Sequence, residues 1–205
     1  MKRKLLCGLL AAASLSLPAR AARTVPVQVD NQVLEESAYL EKGVTYVPLR
    51  SLLDAMGGWE VSWDSQRQAA VASSGSTHLT ADPARDTIQI GQEVLSGPVT
   101  VKSGRTYVPL RLLAEALDCT VDWDARFGGA AVTSAGAEYN AGDLYWLSRI
   151  ICAESGGEPM RGQIAVGNVV LNRVDSQDFP DTIPEVIFEY NGKIQFEPVA
   201  NGTVY

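Results

Sequence analysis

The sequence predicts an α+β chain, with a duplicated small sheet-plus-helix region over residues 22–136 and a helical segment over residues 143–205. Three observations carry this prediction. Thr45-Tyr46-Val47-Pro48-Leu49-Arg50 recurs letter for letter as Thr106-Tyr107-Val108-Pro109-Leu110-Arg111. Around these hexapeptides, Val61-Ser62-Trp63-Asp64 answers Val121-Asp122-Trp123-Asp124, and Val27-Gln28-Val29 answers Ile88-Gln89-Ile90, so the chain carries an internal repeat with units at about 25–75 and 86–136. Beyond residue 142 the apolar residues change to the three-and-four spacing of amphipathic helices.

Within each unit, Val27–Val29 and Ile88–Ile90 alternate as strands and run into the turns Asp30-Asn31 and Gly91-Gln92. Gly43 and Gly104 mark turns before short strands at 45–47 and 106–108. Pro48 and Pro109 then open helices, where a missing N–H costs nothing. Leu49, Leu52, Leu53 and Met56 share a helical face, as do Leu110, Leu113 and Leu117. A strand through Trp63 or Trp123 and a last strand, at 69–72 or 130–133, close each unit. Arg50 and Arg111 are read as pairing with nearby carboxylates such as Asp64 and Asp124 rather than as an anion site. The tyrosines and tryptophans are read as core rather than as glycan-stacking platforms.

Composition narrows the function. A chain that is 46% hydrophobic and 20% charged is an ordinary globular one, which excludes disordered, collagenous and disulfide-scaffold classes. A net charge of −7 disfavours nucleic acid as a partner. With His78 as the one histidine, a Ser-His-Asp triad has little to draw on and the usual hydrolytic zinc site has no ligand set. No metal and no cofactor are expected. Cys119 and Cys152 lie in different segments without framework spacing and are read as small buried apolar residues.

The first 21 residues read as an export signal. Met1-Lys2-Arg3-Lys4 is basic, the stretch from Leu5 to Leu17 is apolar but too short to span a bilayer, and Ala19-Arg20-Ala21 supplies small residues for cleavage. The expected mature protein is secreted to the cell exterior or wall and has no membrane span. Cys7 lies too close to the start to serve as a lipoprotein acylation site.

The pattern around the two hexapeptides, over residues 25–136, resembles the copper amine oxidase N-terminal-like domain. That resemblance implies a small sheet-and-helix module of secreted bacterial surface proteins. Residues 137–142 read as a short linker. After it, Asp143 is placed to cap a helix with apolar positions Leu144, Leu147, Ile150 and Ile151, ending at Gly156-Gly157 in a left-handed stop. Pro159 starts a second helix that is apolar on nearly all sides, as a buried helix would be, and Pro184 opens a third. Glu154 sits at the end of the first helix, where the dipole and apolar walls around Ile151 would keep a carboxyl protonated, as a glycosidase acid needs. On spacing alone, a glutamate there is usually just solvated.

Ala153-Glu154, Gly157-Glu158-Pro159, Gly162-Gln163 and Val170-Leu171-Asn172-Arg173-Val174, with Phe179-Pro180, Gln195-Phe196 and Asn201-Gly202 further on, resemble the SleB/CwlJ cell wall hydrolase family. The resemblance implies a lysozyme-like helical fold, peptidoglycan as partner and substrate, and Glu154 as catalytic acid/base. It makes Ser155, Glu158, Gln163, Gln195 and Asn201 candidate substrate-binding residues. Glu158, Asp175, Asp178 and Asp181 are the candidates for a second carboxylate, so hydrolysis and transglycosylation both stay open. The family's domain runs on for about as many residues again beyond the position of Tyr205. Residues 143–205 are therefore expected to form a partial domain with a thin core and exposed apolar helix faces. The alternative is a non-catalytic wall-binding or spacer protein with an inactive hydrolase segment. Spore cortex and vegetative wall are equally compatible, and oligomeric state is not read from the sequence.

N-terminal sequencing of the secreted protein is expected to begin at Ala22. An intact Met1 on a cytosolic product would contradict the export signal.

Overall fold

The computed structural model describes residues 22–205. The expected signal segment, with Cys7, lies outside them. The elements run β1 (Arg23–Val25), β2 (Val27–Val29), β3 (Gln32–Val33), β4 (Ala38–Glu41), β5 (Val44–Pro48) and α1 (Leu49–Met56). Next come β6 (Glu60–Asp64), β7 (Ala69–Ser74), β8 (Thr77–Asp82), β9 (Thr87–Ile90), β10 (Glu93–Ser96), β11 (Thr100–Lys102), β12 (Arg105–Pro109) and α2 (Leu110–Ala116). The chain then continues through β13 (Thr120–Asp124), β14 (Gly129–Thr133), α3 (Ala141–Ser155), α4 (Met160–Val174), α5 (Ile183–Ile187) and α6 (Glu197–Asn201). The class is α+β, as expected.

The two hexapeptides meet at the centre of a five-stranded sheet of order β1-β4-β5-β12-β11. Val47 pairs with Val108, while Tyr46 faces Pro109 and Tyr107 faces Pro48. The register is therefore reciprocal, each copy serving as the other's partner. Strand alternation turns Val47 and Val108 into the core, both fully buried. It leaves Tyr46 and Tyr107 half-buried on the other face, where Tyr39 stacks on Tyr46 with ring centroids 5.0 Å apart. The β4–β5 and β11–β12 hairpins turn at Lys42-Gly43 and Ser103-Gly104, where all four residues have positive φ. Two consecutive positive φ values define the turn that suits a twisted hairpin, and the second falls on glycine in both. Pro48 and Pro109 then stand at the N-caps of α1 and α2, and Leu49, Leu52 and Leu53 match Leu110 and Leu113 as buried residues.

The two side sheets are assembled across the halves. One has the order β10-β9-β8-β7-β6, and the other is β13-β14-β2-β3, with β14 and β2 parallel. The units do not close on themselves as their patterns suggested, and one hydrophobic cluster takes residues from both. Gly129 makes the crossing possible, since a Cβ there would lie 2.1 Å from the Pro26 carbonyl oxygen. Asp30 seals it, its carboxylate accepting from the Ser134 backbone N–H at 2.9 Å and the Ser134 hydroxyl at 2.6 Å. Strand β8, with His78, was not expected. Its residues have little strand character of their own and are held by β7 and β9 on either side.

Several local expectations change. Asp64 and Asp124 do not pair with Arg50 and Arg111. They fold back on their own turns, Asp64 accepting from Gln66 and Arg67 N–H at 2.9 and 3.0 Å, and Asp124 from Arg126 and Phe127 N–H at 2.7 and 3.1 Å. Arg111 pairs with Glu115 one helical turn on, at 3.4 Å. Trp63 and Trp123 are 44% and 42% exposed, not core, because the residues across the strand from them are Ala70 and Ala130, too small to cover a ring. Cys119 is buried and free, but Cys152 is exposed on α3.

The helical segment packs directly on the β region. Asn140, not Asp143, caps α3, its side-chain oxygen accepting from the N–H of Gly142 and Asp143. The cap lies one turn earlier than expected, so α3 already includes part of the expected linker. Ala141 N–H donates to the Thr133 hydroxyl at 2.9 Å, and the Ala141 carbonyl accepts from the buried Gln28 amide at 2.9 Å. Thus β14 is buried over four consecutive residues, one face on the core and the other under α3. The second core gathers around Trp146, with Ile150, Val170, Val186, Ile187, Phe196 and Val204. The Trp146 indole N–H donates to Asp124, and Phe127 packs at a tilt against Tyr145, with ring centroids 4.8 Å apart. No helix among the described residues is long and apolar enough to cross a membrane.

Asp124→Ala leaves the buried Trp146 N–H without an acceptor, which costs ~1–3 kcal/mol. Denaturant unfolding followed by circular dichroism should show this loss, with a smaller one for Asp64→Ala, whose carboxylate serves an exposed turn.

Candidate active site

Glu154 lies in the last turn of α3 and is exposed. The apolar walls expected around it are absent. Ile151, one turn back, is turned towards α4, where a Cβ on Gly167 would come within 3.1 Å of its Cδ1. The helix does not end in a left-handed glycine either, because Gly156 is itself helical at φ −60° and ψ −25°. Its N–H bonds to the Cys152 carbonyl at 2.8 Å, and Glu158 N–H then returns to the Ser155 carbonyl at 2.9 Å before Pro159 opens α4. The turn therefore stays tight and right-handed, holding Glu154 and Glu158 on successive turns of one corner.

The other candidate residues are occupied locally. Ser155 is buried, its hydroxyl donating to the Ile151 carbonyl at 2.8 Å, so it faces inward. Gln163 reaches back across the corner and donates to the Glu158 carbonyl at 3.0 Å. Gln195 donates to Asn191 at 2.6 Å and to the Lys193 carbonyl at 3.2 Å. Asn201 accepts from the backbone and hydroxyl of Thr203 at 3.0 and 2.7 Å. The structure thus brings Glu154, Glu158 and Gln163 to one corner, whereas Gln195 and Asn201 shape the loop and helix that end the chain. Asp175 and Asp178 sit beyond the far end of α4, and Asp181 precedes α5.

Arg173, which the sequence placed in the motif without a role, is a residue whose part only the structure shows. Its guanidinium lies between the rings of Phe179 and Phe196, 5.1 Å from each centroid, so it holds the end of α4 to the following loop and to the start of α6. Its Nη1 is buried without a partner, as is Glu189 Oε2. A basic residue in the last helical turn, with phenylalanines after it, was the available signal. Helix α4 exposes Met160, Ile164, Val169 and Leu171, which matches the expected exposed apolar faces rather than a buried helix. Among the described residues, no three His, Cys, Asp or Glu side chains gather to hold a metal ion.

At the other end of α3, burial and then the neighbouring charge of Asp122 push the Asp143 carboxyl above the usual aspartate range.

Residues 28–128 match the model of the copper amine oxidase N-terminal domain, and residues 157–205 that of the cell wall hydrolase family. The chain is therefore similar to a different family over each of two segments, and Glu154 lies just ahead of the second match. A spore cortex-lytic enzyme of Bacillus cereus is 43% identical over 67 residues, 33% of this chain and 25% of the relative. Another, of Halalkalibacterium halodurans, is 40% identical over 73 residues, 36% of this chain and 21% of the relative. A protease inhibitor of Brevibacillus choshinensis is 27% identical over 104 residues, 49% of this chain and 32% of the relative. The chain thus spans about a quarter of the length of the cortex-lytic relatives it matches. No solved structure matches it.

An aspartate whose folded-state pKa is raised lowers stability while it is ionised, and that penalty disappears as pH falls through the folded pKa. Asp143→Asn is therefore expected to raise the melting temperature at pH 7 and leave it unchanged at pH 3, as checked by thermal melts at both.

Proposed function

We propose that this protein is a secreted, peptidoglycan-cleaving enzyme acting on the glycosidic bond between N-acetylmuramic acid and N-acetylglucosamine, with Glu154 as its acid/base. The cell wall hydrolase match, together with relatives named as spore cortex-lytic enzymes, carries this reading. The exposed position of Glu154 supports it. A polymer laid across the α3–α4 corner reaches the carboxyl without any opening motion, and its own sugars then exclude water.

In the proposed reaction the Glu154 carboxyl donates its proton to the bridging oxygen as the bond from C1 of the muramoyl residue breaks. The muramoyl 6-hydroxyl attacks C1 and gives its proton to the Glu154 carboxylate, leaving a 1,6-anhydro end. This route needs one carboxylate, whereas hydrolysis by inversion or retention uses a second at a set separation. Glu158, on the next turn, is the residue for that second role. The region 22–136 is proposed as a duplicated unit that carries the catalytic segment on its β14 face.

Glu154→Gln is expected to lower cleavage of isolated sacculi by ~10²–10⁴-fold, the share of a positioned proton donor. Its melting temperature should stay unchanged, since the side chain is exposed. Mass spectrometry of the products identifies the bond: anhydro-muramoyl ends support the one-carboxylate route, and reducing muramoyl ends assign Glu158 a part. Free peptides with intact glycan would contradict the proposal.

A further inference from the structure

Reciprocal pairing of the two hexapeptides creates two matching grooves, each shared between the halves. In the first, of about 560 Å³, Pro48-Leu49-Arg50 and the exposed Trp63 of one half face the β11–β12 hairpin of the other. In the second, of about 390 Å³, Pro109-Leu110-Arg111 and Trp123 face the β4–β5 hairpin. Both volumes lie in the ~300–1,000 Å³ range of small-molecule sites. An exposed indole stands opposite an alanine at the same place in both halves, and at Trp63 it forms a flat apolar platform.

The grooves differ in charge. Where the second carries Asp122 and Val44, the first carries Ser62 and Arg105. In the first, Glu36 accepts from Arg105 at 2.9 Å and from the Ser51 hydroxyl at 2.7 Å, fixing the rim. Arg50 is exposed and makes no direct ion pair among the described residues, its charge reaching the Glu36 carboxylate of the same groove only at longer range. In the second, Arg111 is engaged by Glu115, and Arg23 lies over the Trp123 ring at 5.7 Å. A protein of net charge −7 thus keeps one groove with an open indole, an unpaired guanidinium and hydroxyls at Ser62, Ser103 and Thr106.

We infer that the Trp63 groove is a binding site for a carboxylate-bearing N-acetylated glycan, the muramoyl-peptide unit of a peptidoglycan strand. The apolar face of one sugar lies on Trp63, and Arg50 takes a free carboxylate of the peptide with its fork of N–H donors. The inference rests on the peptidoglycan reading above, but it places a second, non-catalytic contact on the β region.

Calorimetric titration of the whole protein with a GlcNAc–MurNAc-tetrapeptide tests it. This probe lacks the MurNAc–GlcNAc bond, so binding is read without cleavage. Saturable binding is expected, weakened tenfold or more by Trp63→Ala, largely restored by Trp63→Phe, and changed less than twofold by Trp123→Ala. Arg50→Gln should remove the preference for this probe over chitotetraose, which has no carboxylate. Absence of binding, a Trp63→Ala protein that binds like the parent, or equal binding of chitotetraose to the parent would each overturn the inference. So would inhibition of a protease that is lost in Trp63→Ala, which would give the groove to a polypeptide. Cleavage of sacculi by the same samples separates the two readings. Binding without cleavage counts against the enzyme alone, and cleavage without binding counts against the groove alone.

Discussion

The carboxylate of Asp124 is the contact on which the joining of sheet and helices depends. One oxygen closes the turn after β13, and the other receives the indole N–H of Trp146, the fully buried centre of the helical core. Because the turn is fixed, Phe127 is presented to Tyr145 and Arg126 to the ring of Phe188. The corresponding turn of the first half, closed by Asp64, has no helix to meet, and Arg67 lies alongside its aspartate instead. One residue type in equivalent turns thus does two jobs, and what separates them is the segment that follows β14.

From that joint the geometry of the candidate site follows. Gln28 and Thr133 fix the start of α3, and Trp146 fixes its first two turns, so the C-terminal end carrying Glu154 projects from a rigid base. Ile151 closes on Gly167, which sets the approach of α4 and the tight corner between Glu154 and Glu158. The chemistry proposed for Glu154 takes place at the far end of a lever whose near end is buried in the β region.

Much of this was legible before the fold was known. The repeated hexapeptide announced β5, β12 and the helices after them, because proline and the leucine spacing act locally. Helices α3 and α4 were announced by the same periodicity. Strand β8 was not, since Thr77–Asp82 owe their extended form to neighbours on both sides. Gln28 read as an outward strand residue and is buried only because a helix more than 100 residues later covers it. The exposure of Trp63 and Trp123 likewise depends on cross-strand alanines, a register fact that spacing alone does not contain. Glu154 was singled out through its motif, and its catalytic role is a proposal. Its surroundings were misjudged because Ile151 is drawn to Gly167, a contact between helices.

The parallel pairing of β2 with β14 has a consequence for the order in which the chain is made. Val27 and Ala130 are neighbours in the sheet, about 100 residues apart in sequence. Closing a loop of that length is entropically costly, and nothing repays it until the last strand exists. Strand β2 therefore waits for nearly all of the β region before its parallel partner exists. Until then β2 has only its hairpin partner β3, and Val27 and Val29 lack the cover of the closed sheet, while local hairpins such as β6–β7 need no such wait.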